Sequence, residues 1–198
     1  MKNTKIIVRT KSKSYPIYFG NNILNSIGNL IKKNIPEAKK VCILYDKNLP
    51  KSILLKLNRS LKKYKTKIYK LHAHEKTKSI VVANKLVENL LNENLNRSDC
   101  LIALGGGIVT DLSAFVASIT KRGVKLINVP TTLLAQVDAS IGGKTAVNSA
   151  QGKNLIGTFY QPDFVLIDIA LLNSLPKREM ICGYAEILKH SLIDDKKF

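Results

Sequence analysis

Cysteine is scarce in this sequence, and the few cysteines are not arranged for cross-linking. Cys42, Cys100 and Cys182 lie far apart, and no two of them form a CxxC pair. Cys42 and Cys100 fall inside apolar runs, where a thiol behaves as a small hydrophobic side chain. We interpret all three as reduced thiols of a cytoplasmic protein.

Long hydrophobic runs are also missing. No stretch of 18 or more apolar residues occurs, so no transmembrane helix is predicted. The apolar run at residues 6–8 is broken by Arg9 and is too short for the core of a signal peptide. These absences predict a cytoplasmic protein without a membrane partner. The 198 residues suit one domain, or one domain and the start of another.

Acidic residues are few. The sequence has 14 Asp and Glu but 32 Lys and Arg, so the formal net charge is +18. Such a charge fits a nucleic acid partner, a small anionic ligand such as a phosphorylated substrate, or compositional drift. The lysines are scattered over the first 100 positions, and no aromatic residues alternate with them as a nucleic-acid stacking surface requires. We favour drift and predict no nucleic-acid partner. The alternative, a basic nucleic-acid-binding module, predicts binding that falls steeply with salt.

Short apolar or β-branched runs alternate with longer helical patterns along the chain. The predicted strands are residues 5–9, 40–45, 67–70, 100–104, 125–129 and 164–168. The predicted helices are residues 21–33, 50–63, 77–94, 111–119 and 177–192. In the third of these helices, Val81, Leu86, Val87, Leu90 and Leu91 recur at the spacing of one amphipathic face. This alternation predicts an α/β fold with a parallel sheet and right-handed crossovers.

A domain boundary is predicted at Pro176, where a new helical pattern opens. We divide the chain into an α/β domain at residues 1–175 and the beginning of a helical domain at residues 176–198. No Gly or Pro stop signal follows the last helical pattern, so we expect the second domain to be interrupted rather than finished.

A triple glycine from Gly105 to Gly107 separates a predicted strand from the next helix. Glycines let the backbone turn tightly and approach a ligand, and the start of a helix offers free N–H groups to a phosphate. The pattern Gly-x-Gly-x-x-Gly fails because position 110 is Thr110, and the P-loop pattern fails because position 138 is Asp138. A plain tight turn stays open as the alternative to a ligand site.

Polar residues are dense between residues 130 and 154. They include Thr131, Thr132, Asp138, Lys144, Asn148, Lys153 and Asn154. Thr131 follows a predicted strand and can cap the next helix, and lysines held by glycine turns bind phosphate or carboxylate. Taken alone, a solvated polar loop explains this stretch equally well.

The last predicted helix places Glu186, Lys189 and His190 on one face, at offsets of three and four residues. A Glu and a His at this spacing can both bind a metal. Spacing alone favours the simpler interpretation, an ion pair between Glu186 and Lys189 with His190 at its edge. His72 and His74, near the end of a strand-like run, are predicted to be surface residues.

Four segments resemble the motifs of the 3-dehydroquinate synthases, in that family's order and spacing. They are residues 105–117, 129–148, 152–162 and 183–189. The resemblance is strong from about residue 100 to 190. Before that it is loose, although Tyr45-Asp46 and residues 74–78 still look like the family's first two cofactor-contact segments. It implies a Rossmann-like parallel-sheet NAD-binding domain followed by the start of an α-helical C-terminal domain.

The resemblance also implies a reaction, whose substrate is a seven-carbon keto-acid sugar phosphate of the shikimate pathway. In this family NAD⁺ oxidises a ring hydroxyl, phosphate is eliminated, NADH reduces the ketone again, and an intramolecular aldol closes the carbocycle. A divalent metal, zinc or cobalt, polarises the hydroxyl that is oxidised. Related alternatives are another sugar phosphate cyclase, such as an inosose synthase, or a metal-dependent alcohol dehydrogenase.

The resemblance assigns roles to individual residues. Cofactor contacts are expected from Asp46, His74, Glu75, Lys78, Gly106, Gly107, Ile108, Val109, Thr110, Asp111, Thr131, Thr132, Lys144, Lys153, Leu171, Leu172, Asn173 and Ser174. Substrate binding or catalysis is expected from Arg122, Asp138, Lys144, Asn154, Glu186 and Lys189. Glu186 is the expected carboxylate metal ligand. Arg122 is expected to reach the phosphate of the neighbouring subunit's substrate in a homodimer.

The sequence departs from the family in its metal site. The family completes that site with two histidines of a helical C-terminal domain, and none of His72, His74 and His190 falls at those positions. A single carboxylate is a poor zinc site. We therefore expect a chain of this length to be an incomplete, inactive fragment that holds zinc weakly. Ile187 and Leu188 would be left without a packing partner.

Overall fold

A seven-stranded sheet is the centre of the computed structural model, which describes residues 4–193. The strands are β1 (Thr4–Arg9), β2 (Ser14–Gly20), β3 (Lys40–Asp46), β4 (Lys65–Leu71), β5 (Cys100–Gly105), β6 (Lys125–Pro130), β7 (Lys144–Val147), β8 (Ile156–Phe159) and β9 (Phe164–Asp168). The helices are α1 (Ile27–Asn34), α2 (Lys51–Ser60), α3 (Ile80–Asn92), α4 (Gly107–Ile119) and α5 (Lys177–Ile193). Short 3-10 turns and a π-helical segment at Ala135–Ala139 connect them.

The sheet has the order β1-β2-β9-β6-β5-β3-β4, and all of its neighbouring strands except β1 and β2 are parallel. β7 and β8 form a separate antiparallel hairpin. The chain runs outward from β3 to β4 and then returns to place β5 on the other side of β3. The boundary between β3 and β5 is therefore a topological switch point, where open α/β sheets bind ligands beyond the carboxyl ends of their strands.

The sheet is covered on both faces, and each face has its own hydrophobic core. One core joins the sheet to α1 and α2, and the other joins it to α3 and α4. Every residue of β5 is buried, as expected of a parallel strand without polar alternation. The ligand-binding edge is thus held between two packed layers of helices.

The predicted α/β class with a parallel sheet is confirmed, although three strands were missed and one pair of strands in this sheet is antiparallel. The missed strands are β2, β7 and β8. β1 is an antiparallel edge strand paired with β2, because a four-residue turn brings the chain straight back. Helix α4 begins at Gly107, earlier than predicted, since the third glycine already belongs to its first turn.

The amphipathic face predicted for α3 is partly wrong. The buried residues of this helix are Ala83, Leu86 and Leu90. Val81 is 75% exposed, and Leu91 is also exposed. Ser79 caps the helix, and its side chain accepts a hydrogen bond from the Val82 N–H, so the first apolar residues lie at the solvent side of the first turn.

Two of the three cysteines match their predicted setting. Cys42 and Cys100 are free and buried, whereas Cys182 is exposed on α5. Burial raises the pKa of the Cys42 thiol to about 12 and also raises that of Cys100, which keeps both thiols protonated and unreactive. Within the described residues, no helix combines the length and apolarity needed to cross a bilayer.

Candidate active site

The carboxyl ends of β3, β5 and β6 bring together residues that are far apart in the sequence. Tyr45 pairs with Leu104, and Gly105 pairs with Pro130, so the three strands end at one level. The next residues in the chain are Asp46, Gly106 and Thr131. They surround an opening at the topological switch point.

A cavity of about 530 Å³ occupies this opening, and we call it the glycine cavity. Its lining is Asp46, Asn48, Leu49, Pro50, Ala73, Gly106, Gly107, Ile108, Thr131, Thr132, Leu134, Ser174, Leu175, Pro176 and Glu179. Seven of these residues were expected to contact a cofactor: Asp46, Gly106, Gly107, Ile108, Thr131, Thr132 and Ser174. The structure therefore gathers the core of the predicted cofactor site into one concave surface.

The wall between the glycine turn and the next strand is tight. A Cβ on Gly106 would lie 2.9 Å from Thr132 Cγ2, closer than side chains pack. Thr132 Oγ1 accepts a hydrogen bond from the Ala135 N–H at 3.2 Å. The predicted cap by Thr131 is therefore wrong: Thr131 is buried, and its N–H bonds the Gly105 carbonyl instead.

Other expected cofactor residues do not line the glycine cavity. Val109 and Thr110 are buried in α4, and Thr110 Oγ1 donates to the Gly107 carbonyl at 3.1 Å. Leu171 is also buried, while Leu172 and Asn173 belong to the 3-10 turn Ile169–Ser174. Val109 packs against the turn, since a Cβ on Gly105 would lie 2.6 Å from its Cγ2, and Ser174 is the residue of the 3-10 turn that reaches the cavity.

His72 and His74 are exposed, as predicted. His74 Nδ1 accepts a hydrogen bond from the Lys76 N–H at 3.2 Å, which caps the short turn Glu75–Thr77. Its imidazole thus has a local structural role.

A second cavity of about 530 Å³ lies beyond the first turn of α4, and we call it the Asp111 cavity. Its lining is Asp111, Asp138, Ala139, Ile141, Lys144, Thr145, Ala146, Asn154, Leu155, Gly157, Thr158 and Phe159. It unites Asp111 of α4 with Asp138 of the π-helical segment and Lys144 of β7. Its mixture of carboxylates, an ammonium and an amide suits a ligand with hydroxyl and anionic groups.

Lys78 lies behind this cavity and is only 5% exposed. Its ammonium pairs with the Asp111 carboxylate and donates to Asn154 Oδ1 at 2.5 Å. Burial raises the pKa of Asp111, and Lys78 opposes that rise. Lys78 was expected to contact a cofactor, and the structure gives it two protein partners that form the cavity wall.

A series of side-chain hydrogen bonds continues from Asn154 toward the surface. The Asn154 N–H donates to Asn148 Oδ1 at 3.0 Å, and Asn148 Nδ2 donates to Glu75 Oε1 at 2.7 Å. Asn154 has a φ of 59°, a left-handed conformation that Asn tolerates better than most residues. Lys153 lies 3.9 Å from Glu75, beside a third cavity that both residues line.

Helix α5 brings a third group of side chains to the same edge. Its Gly183 packs directly on the start of the π-helical region, because a Cβ there would lie 2.5 Å from Leu133 Cβ. One turn later Glu186 forms an ion pair with Lys189, and His190 Nε2 lies 3.3 Å from Glu186 Oε1. The predicted ion pair with His190 at its edge is confirmed, and contact with the carboxylate raises the pKa of Lys189.

Asp138 joins this group, which the sequence did not indicate. Candidate ligand atoms of Asp138, Glu186 and His190 all lie within 4.8 Å of one another. Only an i, i+4 spacing was visible in the sequence, whereas Asp138 comes from a segment 48 residues earlier (186 minus 138).

Arg122 is an expected site residue that lies away from these cavities. It is exposed and follows the carboxyl end of α4. The 13 residues of this helix separate it from the glycine turn by roughly 20 Å. Its expected contact with a neighbouring subunit stays a prediction.

Several known proteins resemble this chain in sequence. A family model described as 3-dehydroquinate synthase N-terminal matches residues 68–182. The 3-dehydroquinate synthase of Pelagibacter ubique is 51% identical over 194 residues, which are 98% of this chain and 53% of that protein. The enzyme of the same name from Thermoanaerobacter sp. is 44% identical over 96% of this chain and 54% of its own length.

Solved structures of related enzymes also resemble this chain in fold. A 2-deoxy-scyllo-inosose synthase superposes with a TM-score of 0.89 at 30% identity, over 96% of this chain and 52% of that one. A 2-epi-5-epi-valiolone synthase from Streptomyces hygroscopicus superposes with a TM-score of 0.85 at 27% identity, over 97% of this chain and 53% of that one. This chain spans about half the length of the curated relatives it matches. On this evidence the chain belongs to the 3-dehydroquinate synthase family and corresponds to its N-terminal part.

Proposed function

We propose that this chain is the NAD-binding part of a 3-dehydroquinate synthase. The reaction converts 3-deoxy-arabino-heptulosonate 7-phosphate to 3-dehydroquinate and phosphate, a carbon–oxygen lyase step of the shikimate pathway. The observation that carries the proposal is that two cavities lie at the start of α4, one lined by Gly107 and Ile108 and the other by Asp111. One has a glycine wall suited to a dinucleotide, and the other has the charged groups suited to a sugar phosphate.

The glycine cavity fits NAD. Gly106 leaves no Cβ between the backbone and a bound pyrophosphate, and α4 presents the positive end of its dipole there. Asp46, at the end of β3, lines the cavity and would accept hydrogen bonds from the adenosine ribose. Two of the solved neighbours carry NAD⁺, by their descriptions. When bound, NAD would supply the hydride acceptor.

The group on α5 fits a divalent metal. Asp138, Glu186 and His190 offer two carboxylates and an imidazole, which suit zinc or cobalt. The same two solved neighbours contain Co²⁺ and Zn²⁺, respectively. The metal would supply Lewis acidity toward a substrate hydroxyl.

The Asp111 cavity is where we place the substrate. Lys144 is exposed on β7 and offers a point charge to phosphate or carboxylate. Asn154 is held by Lys78, so its amide is already oriented when a ligand arrives. Asp138 and Lys189 approach from the α5 side.

Three further expectations belong to this proposal. The chain works in the cytoplasm, it pairs as a homodimer through which Arg122 reaches the neighbouring substrate, and residues 176–198 begin a helical metal and substrate domain. Another sugar phosphate cyclase is the second candidate. The curated relatives named 3-dehydroquinate synthase reach 51% identity, whereas the inosose synthase reaches 30%, which favours the first.

The cofactor site is tested by a substitution and its rescue. Gly106→Ala places a Cβ against Thr132 Cγ2, so we expect NAD⁺ binding in a calorimetric titration to weaken about tenfold or more, since ligand sites tolerate little displacement. Thr132→Ser removes the obstructing methyl and keeps the hydroxyl that caps Ala135. The double variant should therefore recover most of the affinity, and a Gly106→Ala variant that binds NAD⁺ normally would place the cofactor elsewhere.

A further inference from the structure

We propose that Asn148 is a positioning residue that ties the loop at residues 152–154 to the segment at residues 74–78, so that NAD⁺ bound at that segment steadies Asn154 in the Asp111 cavity. The identity of the cofactor rests on the proposed function. The tie itself rests on the contacts of one half-buried asparagine, to which the resemblance assigned no role.

The backbone of Asn148 is held on two sides. Val147, the last residue of β7, is fully buried in the core that joins the sheet to α3 and α4. Asn148 itself pairs with Ser79 in an isolated parallel bridge, and its N–H donates to the Lys78 carbonyl at 2.8 Å. These contacts fix the point from which its side chain extends.

The side chain of Asn148 uses both ends of its amide. Oδ1 accepts a hydrogen bond from the Asn154 N–H at 3.0 Å. Nδ2 donates to Glu75 Oε1 at 2.7 Å and to the Glu75 carbonyl at 3.3 Å. An amide offers an acceptor and a donor in one group, whereas a carboxylate of the same shape would face that of Glu75 and repel it. The position therefore favours asparagine over aspartate.

Three residues close a ring of hydrogen bonds. The Lys78 ammonium donates to Asn154 Oδ1 at 2.5 Å, the Asn154 N–H donates to Asn148 Oδ1, and the Asn148 N–H donates to the Lys78 carbonyl. Asn154 has a left-handed φ of 59°, a conformation that persists only where the surroundings support it. Lys78 supports its side chain, and Asn148 supports its backbone.

The ring lies between the two proposed ligand sites. Asn154 lines the Asp111 cavity, whereas Glu75 and Lys78 belong to the segment from which cofactor contacts are expected. A ligand that fixes residues 74–78 therefore also fixes Asn154, and a ligand on Asn154 favours the cofactor in return, because coupling between two binding sites is reciprocal.

The first test follows amide hydrogen exchange by NMR in the ligand-free 198-residue chain. Asn148→Ala removes the acceptor of the Asn154 N–H, so that amide should exchange several-fold faster. The Lys78 N–H donates to the Glu75 carbonyl rather than to Asn148, yet it should also exchange faster because its segment has lost the tie. Gln151→Ala, at an exposed amide of the same stretch, is the matched control and should exchange as the parent does.

The second test repeats the measurement with saturating NAD⁺. In the parent chain NAD⁺ should slow exchange at Asn154 about fivefold or more, the lower end of the usual coupling between two sites. In Asn148→Ala, NAD⁺ should still slow exchange at Lys78 but should have much less effect at Asn154, whose N–H has lost its acceptor.

An exchange of the two facing groups separates this contact from a folding defect. Asn148→Asp keeps an oxygen for the Asn154 N–H but turns a carboxylate toward that of Glu75, so NAD⁺ should protect Asn154 less than in the parent chain. Adding Glu75→Gln gives the new carboxylate an amide donor, and the double variant should regain most of the protection. A general loss of structure would not be rescued in this way.

Two kinds of result overturn the inference. One is exchange at Lys78 that Asn148→Ala leaves unchanged in the ligand-free chain. The other is a parent chain that binds NAD⁺ without slower exchange at Asn154, or NAD⁺-dependent protection that is equal in Asn148→Ala and the parent. A chain that binds no NAD⁺ in a calorimetric titration counts against the proposed function, and exchange at Lys78 in the ligand-free chain then decides the positioning role.

Discussion

At the scale of single residues, Lys78 connects its own segment to two others. Its buried ammonium contacts Asp111, at the start of α4, and Asn154, in the loop before β8. The sequence marked all three residues as site residues but could not show that one of them is buried between the other two. The burial of a long charged side chain depends on which segments pack above it, and no local pattern records that.

The substitution Lys78→Met tests this role. It leaves the largely buried Asp111 carboxylate without its partner, so the free energy of unfolding in urea should fall by about 3 kcal/mol, as for other broken buried pairs. Lys76→Met, at an exposed lysine two residues earlier, should change it by no more than about 0.5 kcal/mol. Equal effects of the two substitutions would contradict a special role for Lys78.

The same variant has a predicted pH dependence. Burial already raises the pKa of Asp111 against the opposing effect of Lys78, so losing the ammonium should raise that pKa further. A carboxyl group with a raised pKa binds more protons in the folded state, and stability therefore increases as the pH falls through that pKa. Lys78→Met should accordingly regain stability relative to the parent in mildly acidic buffer. If the difference between the two proteins stays constant with pH, Asp111 is not the group left unpaired.

At the scale of elements, α5 reaches the site because Gly183 lets it approach. A glycine within a helix normally costs about 1 kcal/mol relative to alanine, so Gly183→Ala would stabilise a helix that packed on nothing. Here the added Cβ would lie 2.5 Å from Leu133 Cβ and 2.8 Å from the Leu134 nitrogen. The packing advantage of glycine therefore outweighs its low helix propensity.

We expect Gly183→Ala to push α5 away from the π-helical segment. The free energy of unfolding should fall by about 1–3 kcal/mol, as for other overpacked sites, and Co²⁺ binding should weaken as Glu186 moves from Asp138. Tyr184→Ala, at the exposed neighbouring position, should leave Co²⁺ binding unchanged. A stabilised Gly183→Ala chain would mean that α5 does not pack here.

The prediction that Ile187 and Leu188 of α5 lack a packing partner is confirmed only in part. Leu188 is 59% exposed, as expected of a residue without a packing partner. Ile187 is half-buried, so it does have contacts with the rest of the chain.

The strands that were predicted well are those whose apolar residues follow one another along the sequence. β5 and β9 are almost continuous apolar runs, and β6 is interrupted after its first residue only by Asn128; the bounds of all three were predicted to within one residue. β2 contains Pro16, which weakens any strand prediction, although its buried Tyr15 and Ile17 alternate with less buried neighbours. β7 and β8 have four residues each, and their pairing with each other, rather than their composition, makes them strands.

At the scale of the whole molecule, one group of five lysines lies away from the proposed site. Lys39, Lys40, Lys62, Lys63 and Lys65 line a surface pocket at the amino ends of β3 and β4. The glycine cavity lies beyond the opposite ends of the strands. These five lysines therefore give no reason to assign a nucleic-acid function to the glycine cavity.

A filter-binding titration with DNA and RNA tests whether the positive charge binds nucleic acid. We expect weak retention at low salt that disappears at physiological salt, because scattered lysines give only non-specific attraction. Tight retention at physiological salt, lost when the five lysines of that surface pocket are replaced by Gln, would show instead that the charge serves a nucleic-acid partner.

Seven residues around the glycine cavity were named from the sequence, but the geometry of the cavity was not predictable. The resemblance named Asp46, Gly106 and Thr132, and the structure places them around one cavity. Asp138 beside Glu186, and Thr132 rather than Thr131 as the cap, follow from how separate segments pack.

We propose that this chain supplies the cofactor and substrate cavities of a 3-dehydroquinate synthase. The most direct measurement replaces the matching half of the Pelagibacter ubique enzyme, 51% identical to this chain, with residues 4–193 of this protein. Phosphate release from 3-deoxy-arabino-heptulosonate 7-phosphate is then followed with NAD⁺ and Co²⁺ present. We predict phosphate release by the chimera that is abolished by Lys144→Ala or Glu186→Gln and retained after His72→Gln. A folded chimera that binds NAD⁺ and Co²⁺ but releases no phosphate would contradict the claim.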